Sequence, residues 1–147
     1  QQVGAATGLY DFPVNRFVAG FVGTANLLEG QVVSVGDETL VFKVDGVGSI
    51  TLPRPANPPA VGAAALAFRP HQVSIRVRDE QVDASRLWLD GQVESAEFLG
   101  ESSRYRVRVG EVAMITDQPH YAGLAMFAPG ALVRLGIEPT QVRFLDR

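Results

Sequence analysis

Arg104-Tyr105-Arg106-Val107-Arg108-Val109 sets a charged residue against an apolar one at every step. A period of two is that of a strand with one face buried, and no helix presents it. Tyr105, Val107 and Val109 fall on one face, and Arg104, Arg106 and Arg108 on the other. The same grammar spreads outward from here. Val93 to Phe98 precedes it across the turn Leu99-Gly100-Glu101-Ser102-Ser103, and Val112 to Thr116 follows. Leu132 to Ile137 and Gln141 to Leu145 close the chain. Upstream, Val32 to Val35, Leu40 to Val44, Ser49 to Leu52, Ala64 to Phe68 and Val73 to Val77 have the same character, with Gly36-Asp37 and Gly46-Val47-Gly48 as turns. Pro53, Pro55, Pro58 and Pro59 form a stiff loop that no central strand accepts. Short strands at regular spacing predict an all-β barrel or sandwich.

The strands repeat. Gly30-Gln31-Val32 returns as Gly91-Gln92-Val93, and Arg69-Pro70-His71-Gln72-Val73 as Glu138-Pro139-Thr140-Gln141-Val142, in the same order. Units of this size are marginal alone, so the two halves are expected to pack together. Before them, apolar residues at 14, 17, 18, 21 and 22 follow the spacing of one helical face, and Gly20 and Gly23 limit that helix to about two turns. The expected organisation is an N-terminal linker and short helix over 1–29, a first β unit over 30–85 and a second over 86–147.

Composition removes several classes of function. The 147 residues include no cysteine, one lysine and two histidines, with 46% apolar and 20% charged residues and a net charge of −3. An acidic balance argues against a nucleic-acid binder, which needs a positive field. A phosphate-binding loop needs a lysine after its second glycine, and the one lysine, Lys43, stands inside Val41-Phe42-Lys43-Val44. His71 and His120 lie far apart with no cysteine beside them, so no metal site is expected. No G-x-S-x-G elbow occurs, and Glu94, Glu97 and Glu101 read as a solvated strand face. No catalytic residue is assigned. No uncharged run is fit to span a membrane, and the first residue is Gln1, as in a piece or processed form of a longer chain.

Binding candidates are few. Arg104, Arg106 and Arg108 project from one strand face, where they either hold an oxyanion or pair with Glu94 and Glu97 or meet solvent. Arg69 and His71 share a turn, where His71 is either an exposed turn residue or a ligand or partner contact. Thr24 and Asn26 stand where a loop meets a strand, and Asn26 is able to bond backbone groups.

The order of short motifs is familiar. Leu9-Tyr10-Asp11, then Pro13, Asn15-Arg16-Phe17-Val18-Ala19-Gly20-Phe21-Val22-Gly23, resembles the junction that ends the nucleotide-binding domain in ATP-binding subunits of ABC importers of the spermidine, ferric-iron and maltose type. Asn26-Leu27 through Gly30 and Val32 resembles the opening of their C-terminal extension, the TOBE (transport-associated OB) domain. Phe68-Arg69-Pro70-His71 is similar to its I-R-P-E turn, and Phe98-Leu99-Gly100 through Val107 to its second-half hairpin. Related molybdate-binding units open on Ser-Ala-Arg-Asn followed by Lys; here Thr24-Ala25-Asn26 lacks the Arg and Glu29 takes the Lys place.

The resemblance implies two tandem OB-like β-barrel units packed together, with the short helix ahead of them. It implies a regulatory and dimerisation domain of an importer ATPase on the cytoplasmic side of the membrane. The partners would be a second copy, the membrane permease reached through the absent nucleotide-binding domain, and a small ligand or regulatory protein as effector. ATP and Mg would bind only in that absent domain. The alternative is a free-standing OB module for an oxyanion, a metal ion or a polyamine.

Overall fold

A computed structural model of the chain describes residues 25–119 and 126–146. The expected helix near residues 13–22, Thr24 and His120 fall outside the described residues. Ten strands follow in order: β1 Asn26–Val35, β2 Thr39–Val44, β3 Gly48–Pro53, β4 Gly62–Phe68, β5 Val73–Val77, β6 Leu87–Phe98, β7 Ser102–Val109, β8 Val112–Pro119, β9 Leu132–Ile137 and β10 Arg143–Asp146. Two one-turn 3-10 helices, Pro70–Gln72 and Pro139–Gln141, precede β5 and β10. Among the described residues no helix is long and apolar enough to cross a membrane.

Every strand read from the sequence is present and several are longer, but β10 begins at Arg143 rather than at Gln141, which instead ends the Pro139–Gln141 helical turn. β6 starts at Leu87 rather than at Val93. The early part was hidden because Trp88 faces Gly136 across the ladder, and the indole fills the space that a side chain at Gly136 would need. β1 likewise starts at Asn26 rather than at Val32.

The strands form two five-stranded sheets, ordered β10-β4-β1-β2-β3 and β5-β9-β6-β7-β8. The repeat is exact in its pairings. Gly30 faces Ala64 as Gly91 faces Val133, and Gln31 faces Lys43 as Gln92 faces Arg108. A bulge follows Val32 in β1, and another follows Val93 in β6. The sequence divides into a first and a second unit, but the sheets do not. β5 leaves the first half to pair with β9, and β10 leaves the second half to pair with β4. Each sheet is therefore four strands of one half completed by the fifth strand of the other. The two halves meet at repeat-related residues, where the Gln72 side-chain amide donates to Gln141 Oε1.

One apolar core fills the space between the sheets. It contains Phe42, Phe68, Val73, Tyr105, Met114 and Leu135, all with almost no exposure. Phe144 from β10 meets Phe42 from β2 edge to face, with centroids 5.9 Å apart. That contact ties the exchanged strand to the sheet that receives it. The second sheet also curls, so that its edge strand β8 runs along β5 and the Pro70–Gln72 turn. The corresponding edge of the first sheet, β3, has no comparable contact with β10 or the Pro139–Gln141 turn. The first sheet stays open.

The repeated glycines have a steric cause. A Cβ on Gly30 would overlap the Lys43 carbonyl oxygen, and one on Gly91 would lie 2.8 Å from the Arg108 carbonyl oxygen and 2.7 Å from Val107 Cγ1. The two positions are equivalent, and at both the backbone of the next strand takes the side-chain space. Gly91→Ala is expected to lower stability by about 1–3 kcal/mol, the usual cost of overpacking. Gly30→Ala should cost more, because its obstacle is closer and is backbone. Urea midpoints of the two variants check the order.

Candidate functional site

The most buried of the candidate residues is Asn26, with 1% exposure. It lies at the start of β1 and not in a turn. Its Nδ2 donates to the Ile115 carbonyl (2.9 Å), and its Oδ1 accepts from the Ile115 N–H (2.8 Å). The carboxamide so acts as one residue of an added strand against the outer edge of β8. Next along that edge, Thr116 Oγ1 donates to the Val73 carbonyl (2.6 Å), and Gln118 Nε2 donates to the same oxygen (2.7 Å). Asn26 so seals this edge from β1 of the first sheet, and Thr116 and Gln118 close the second sheet onto β5. Their repeat equivalents are Leu87, Leu52 and Arg54. Leucine at the first two of those places supplies neither donor nor acceptor, which accounts for the open first sheet.

Arg104, Arg106 and Arg108 share the outer face of β7, as their alternation predicts. Arg104 forms a two-pronged pair with Asp117 on β8, at 2.7 and 2.9 Å. Arg106 and Arg108 both donate to Glu94, at 2.9 and 2.5 Å. Glu94 is the residue at the β6 bulge, and a bulge re-aims its side chain. That turn of the strand lets one carboxylate serve two guanidinium groups. Further along the face, Asp90 lies 3.5 Å from Arg134 and 3.8 Å from Arg78. The face is thus a set of compensated charges. An oxyanion bound there would have to displace Glu94 and Asp117, so the arrangement is not a vacant anion cradle.

Sequence reasoning named Glu94 as a partner and missed Asp117. The signal was available. The β7–β8 turn joins Val109 to Val112, and counting back from that pair puts Asp117 opposite Arg104. Reading the strand only as far as Thr116 hid it. Thr116 and Gln118 were missed because nothing local marks a side chain that bonds a distant strand edge.

Arg69 and His71 flank Pro70 at the turn before β5. The Arg69 N–H donates to Gln72 Oε1 (3.0 Å), and His71 is exposed. His71 lines an open polar cleft of about 390 Å³ with Gln72, Ser74, Arg86, Glu138 and Gln141. Arg86 is turned onto Ser74, its Nη1 2.8 Å from Ser74 Oγ. The structure thus separates the candidates into three places: Asn26 in the seam between sheets, the arginines on the outer face, and Arg69 with His71 beside the Gln72–Gln141 contact. Among the described residues no three His, Asp or Glu side chains gather as metal ligands. Nor do the residues suit ATP, since Lys43 lies within β2 and faces Gln31 on the neighbouring strand.

Two consequences are measurable. Asn26→Leu, which copies the equivalent residue, strands the buried Ile115 N–H and carbonyl. It should lower unfolding stability by about 2–4 kcal/mol in denaturant titration. The second concerns Glu94. Burial pushes its carboxyl up, but hydrogen bonds and charge from Arg108 and Arg106 outweigh this and hold it below the usual range. A lowered folded value means stability that is complete above the unfolded value and is lost as pH falls through the folded one. The melting-temperature gap between the parent chain and Glu94→Gln should therefore hold from pH 7 down to near the ordinary carboxyl value of 4.5 and shrink only below it.

With this geometry in place, similarity to known proteins is informative. The TOBE domain family model matches residues 66–145. A spermidine/putrescine import ATP-binding protein of Rubrobacter xylanophilus is 36% identical over 136 residues, covering 90% of this chain and 34% of that protein. The protein of the same name from Nitrosomonas eutropha is 27% identical over 109 residues, covering 74% of this chain and 30% of that protein. The chain spans about a third of the length of these curated relatives. Among solved structures, the cytoplasmic molybdate-binding protein ModG, with molybdate bound, superposes with a TM-score of 0.66 at 16% identity. The superposition covers 83% of this chain and 96% of that one, and at this identity it bears on fold alone. The family model matches more than half of the chain, with the repeat-related turn, the second sheet and the exchanged strand β10 all inside or at the rim of the match, and the chain belongs to the TOBE domain family.

Proposed function

We propose that this domain is the accessory, regulatory part of the ATP-binding subunit of an ABC importer. The observation that carries the reading is the alignment of a non-catalytic TOBE domain with about a third of proteins named import ATP-binding proteins. In this reading the domain holds two copies of the subunit together. It couples their pairing to transport at the inner face of the membrane, and the permease is reached through the nucleotide-binding domain. The two repeated units run over 30–85 and 86–147 in sequence, and the exchanged strands β5 and β10 weld them into one body. Spermidine and putrescine are named for the relatives, and a polyamine is the transported class this reading favours.

The charge arrangement supports a structural role over a ligand cradle on the outer face, since Arg104, Arg106 and Arg108 all have carboxylate partners. The test is direct. The coding sequence upstream of Gln1 should encode a G-x-x-x-x-G-K-[ST] loop. Calorimetry should find MgATP binding in the full product and none in the 147-residue chain. An upstream sequence without that loop, or ATP binding by the 147 residues alone, overturns the proposal.

A further inference from the structure

The open edge of the first sheet has a specific chemistry. β3 reads Gly48-Ser49-Ile50-Thr51-Leu52-Pro53 and carries no charge. In an antiparallel ladder, successive pairs alternate between bonded and non-bonded. The Arg54 N–H donates to the Glu38 carbonyl (2.9 Å), which makes Leu52–Leu40 and Ile50–Phe42 the bonded pairs. The Thr39 carbonyl is turned away from β3, towards the Gly36 N–H (2.8 Å), as this phase requires. Ser49 and Thr51 therefore direct their N–H and carbonyl groups away from β2. Thr51 is the repeat equivalent of Ile115, whose N–H and carbonyl Asn26 takes. Leu87 stands in Asn26's place and has no amide to offer. Four backbone groups on an exposed, neutral strand are left facing outward, which is the template for adding a strand.

We propose that this edge pairs with β3 of a second copy, antiparallel about Ile50, so that the first sheets of two chains join. This deepens the proposed pairing role and rests on it. Self-pairing about Ile50 sets Ser49 against Thr51 of the partner subunit twice and satisfies all four groups. A shift one way brings in Pro53, which has no N–H, and a shift the other way runs into the Gly46–Gly48 turn. The flanking charges agree with the same register. Arg54 follows β3 and Asp45 precedes it, both exposed, and neither has an ion pair among the described residues. Antiparallel pairing about Ile50 brings each Arg54 beside the turn that carries Asp45 of the partner subunit.

Sedimentation equilibrium and hydrogen exchange over a concentration series test this on the 147-residue chain. The parent chain is expected to dimerise, with the Ser49 and Thr51 amides protected only where the dimer is populated. Thr51→Pro removes an outward N–H that β2 does not use, and Ser49→Lys places a charge on the edge. Each should weaken dimerisation at least tenfold while leaving the melting temperature of the dilute monomer within a few degrees. Arg54→Asp should weaken it too, and Asp45→Arg in the same chain should restore it. A parent chain that stays monomeric at millimolar concentration overturns the pairing role and this surface together. A parent dimer that ignores all these substitutions, or whose Ser49 and Thr51 amides exchange freely, overturns the surface alone.

Discussion

The two hydrogen bonds between the Asn26 carboxamide and the Ile115 backbone decide how this duplicated chain departs from symmetry. Ile115 sits on a strand edge inside the body of the protein, where an unpaired N–H and carbonyl would each cost free energy. A side-chain amide is the smallest group that satisfies both at once. Thr116 and Gln118 extend the same closure to the Val73 carbonyl. The other half repeats the strands, the bulge and the glycine, and puts leucine at two of the three closing positions. One repeated arrangement of strands so yields a sheet whose edge is sealed and a sheet whose edge is bare.

Much of this was legible in the sequence, and what was not has a common physical origin. Alternation along Arg104–Val109 and the turn residues marked the strands, because side-chain period and turn chemistry are local. The glycine anchors marked the repeat, because a backbone carbonyl fills the side-chain space at both Gly30 and Gly91. Pairing between strands is not local. Val73 to Val77 was readable as a strand, but nothing in those residues says that β9 rather than β4 receives it. The bulge at Glu94 was equally silent, and with it the capture of two arginines by one carboxylate. Asn26 was legible as a residue that bonds backbone, and its partner 89 residues away was not.

The outer face of the second sheet shows how much the meaning of an arginine stripe depends on its neighbours. Three guanidinium groups at spacing two resemble an anion site on paper. In the fold each has a carboxylate within 3 Å, supplied by β8 or by the β6 bulge. Cross-strand pairs of this kind contribute modestly to stability. Their larger effect is to neutralise a face that would otherwise attract phosphate and nucleic acid without discrimination.

The exchange of β5 and β10 also sets a timetable for synthesis. The ribosome delivers β1 to β4 first, yet the outer edge of β4 is paired only by β10, the last strand described. The first sheet begun is therefore the last one finished. Until β10 emerges, β4 exposes an apolar edge, four alanines and Leu66 over 63–67, to whatever is nearby. β5, meanwhile, waits without a partner until β9 appears. A chain that stopped before β10 would carry every other strand of the first sheet and still leave the outer edge of β4 unpaired.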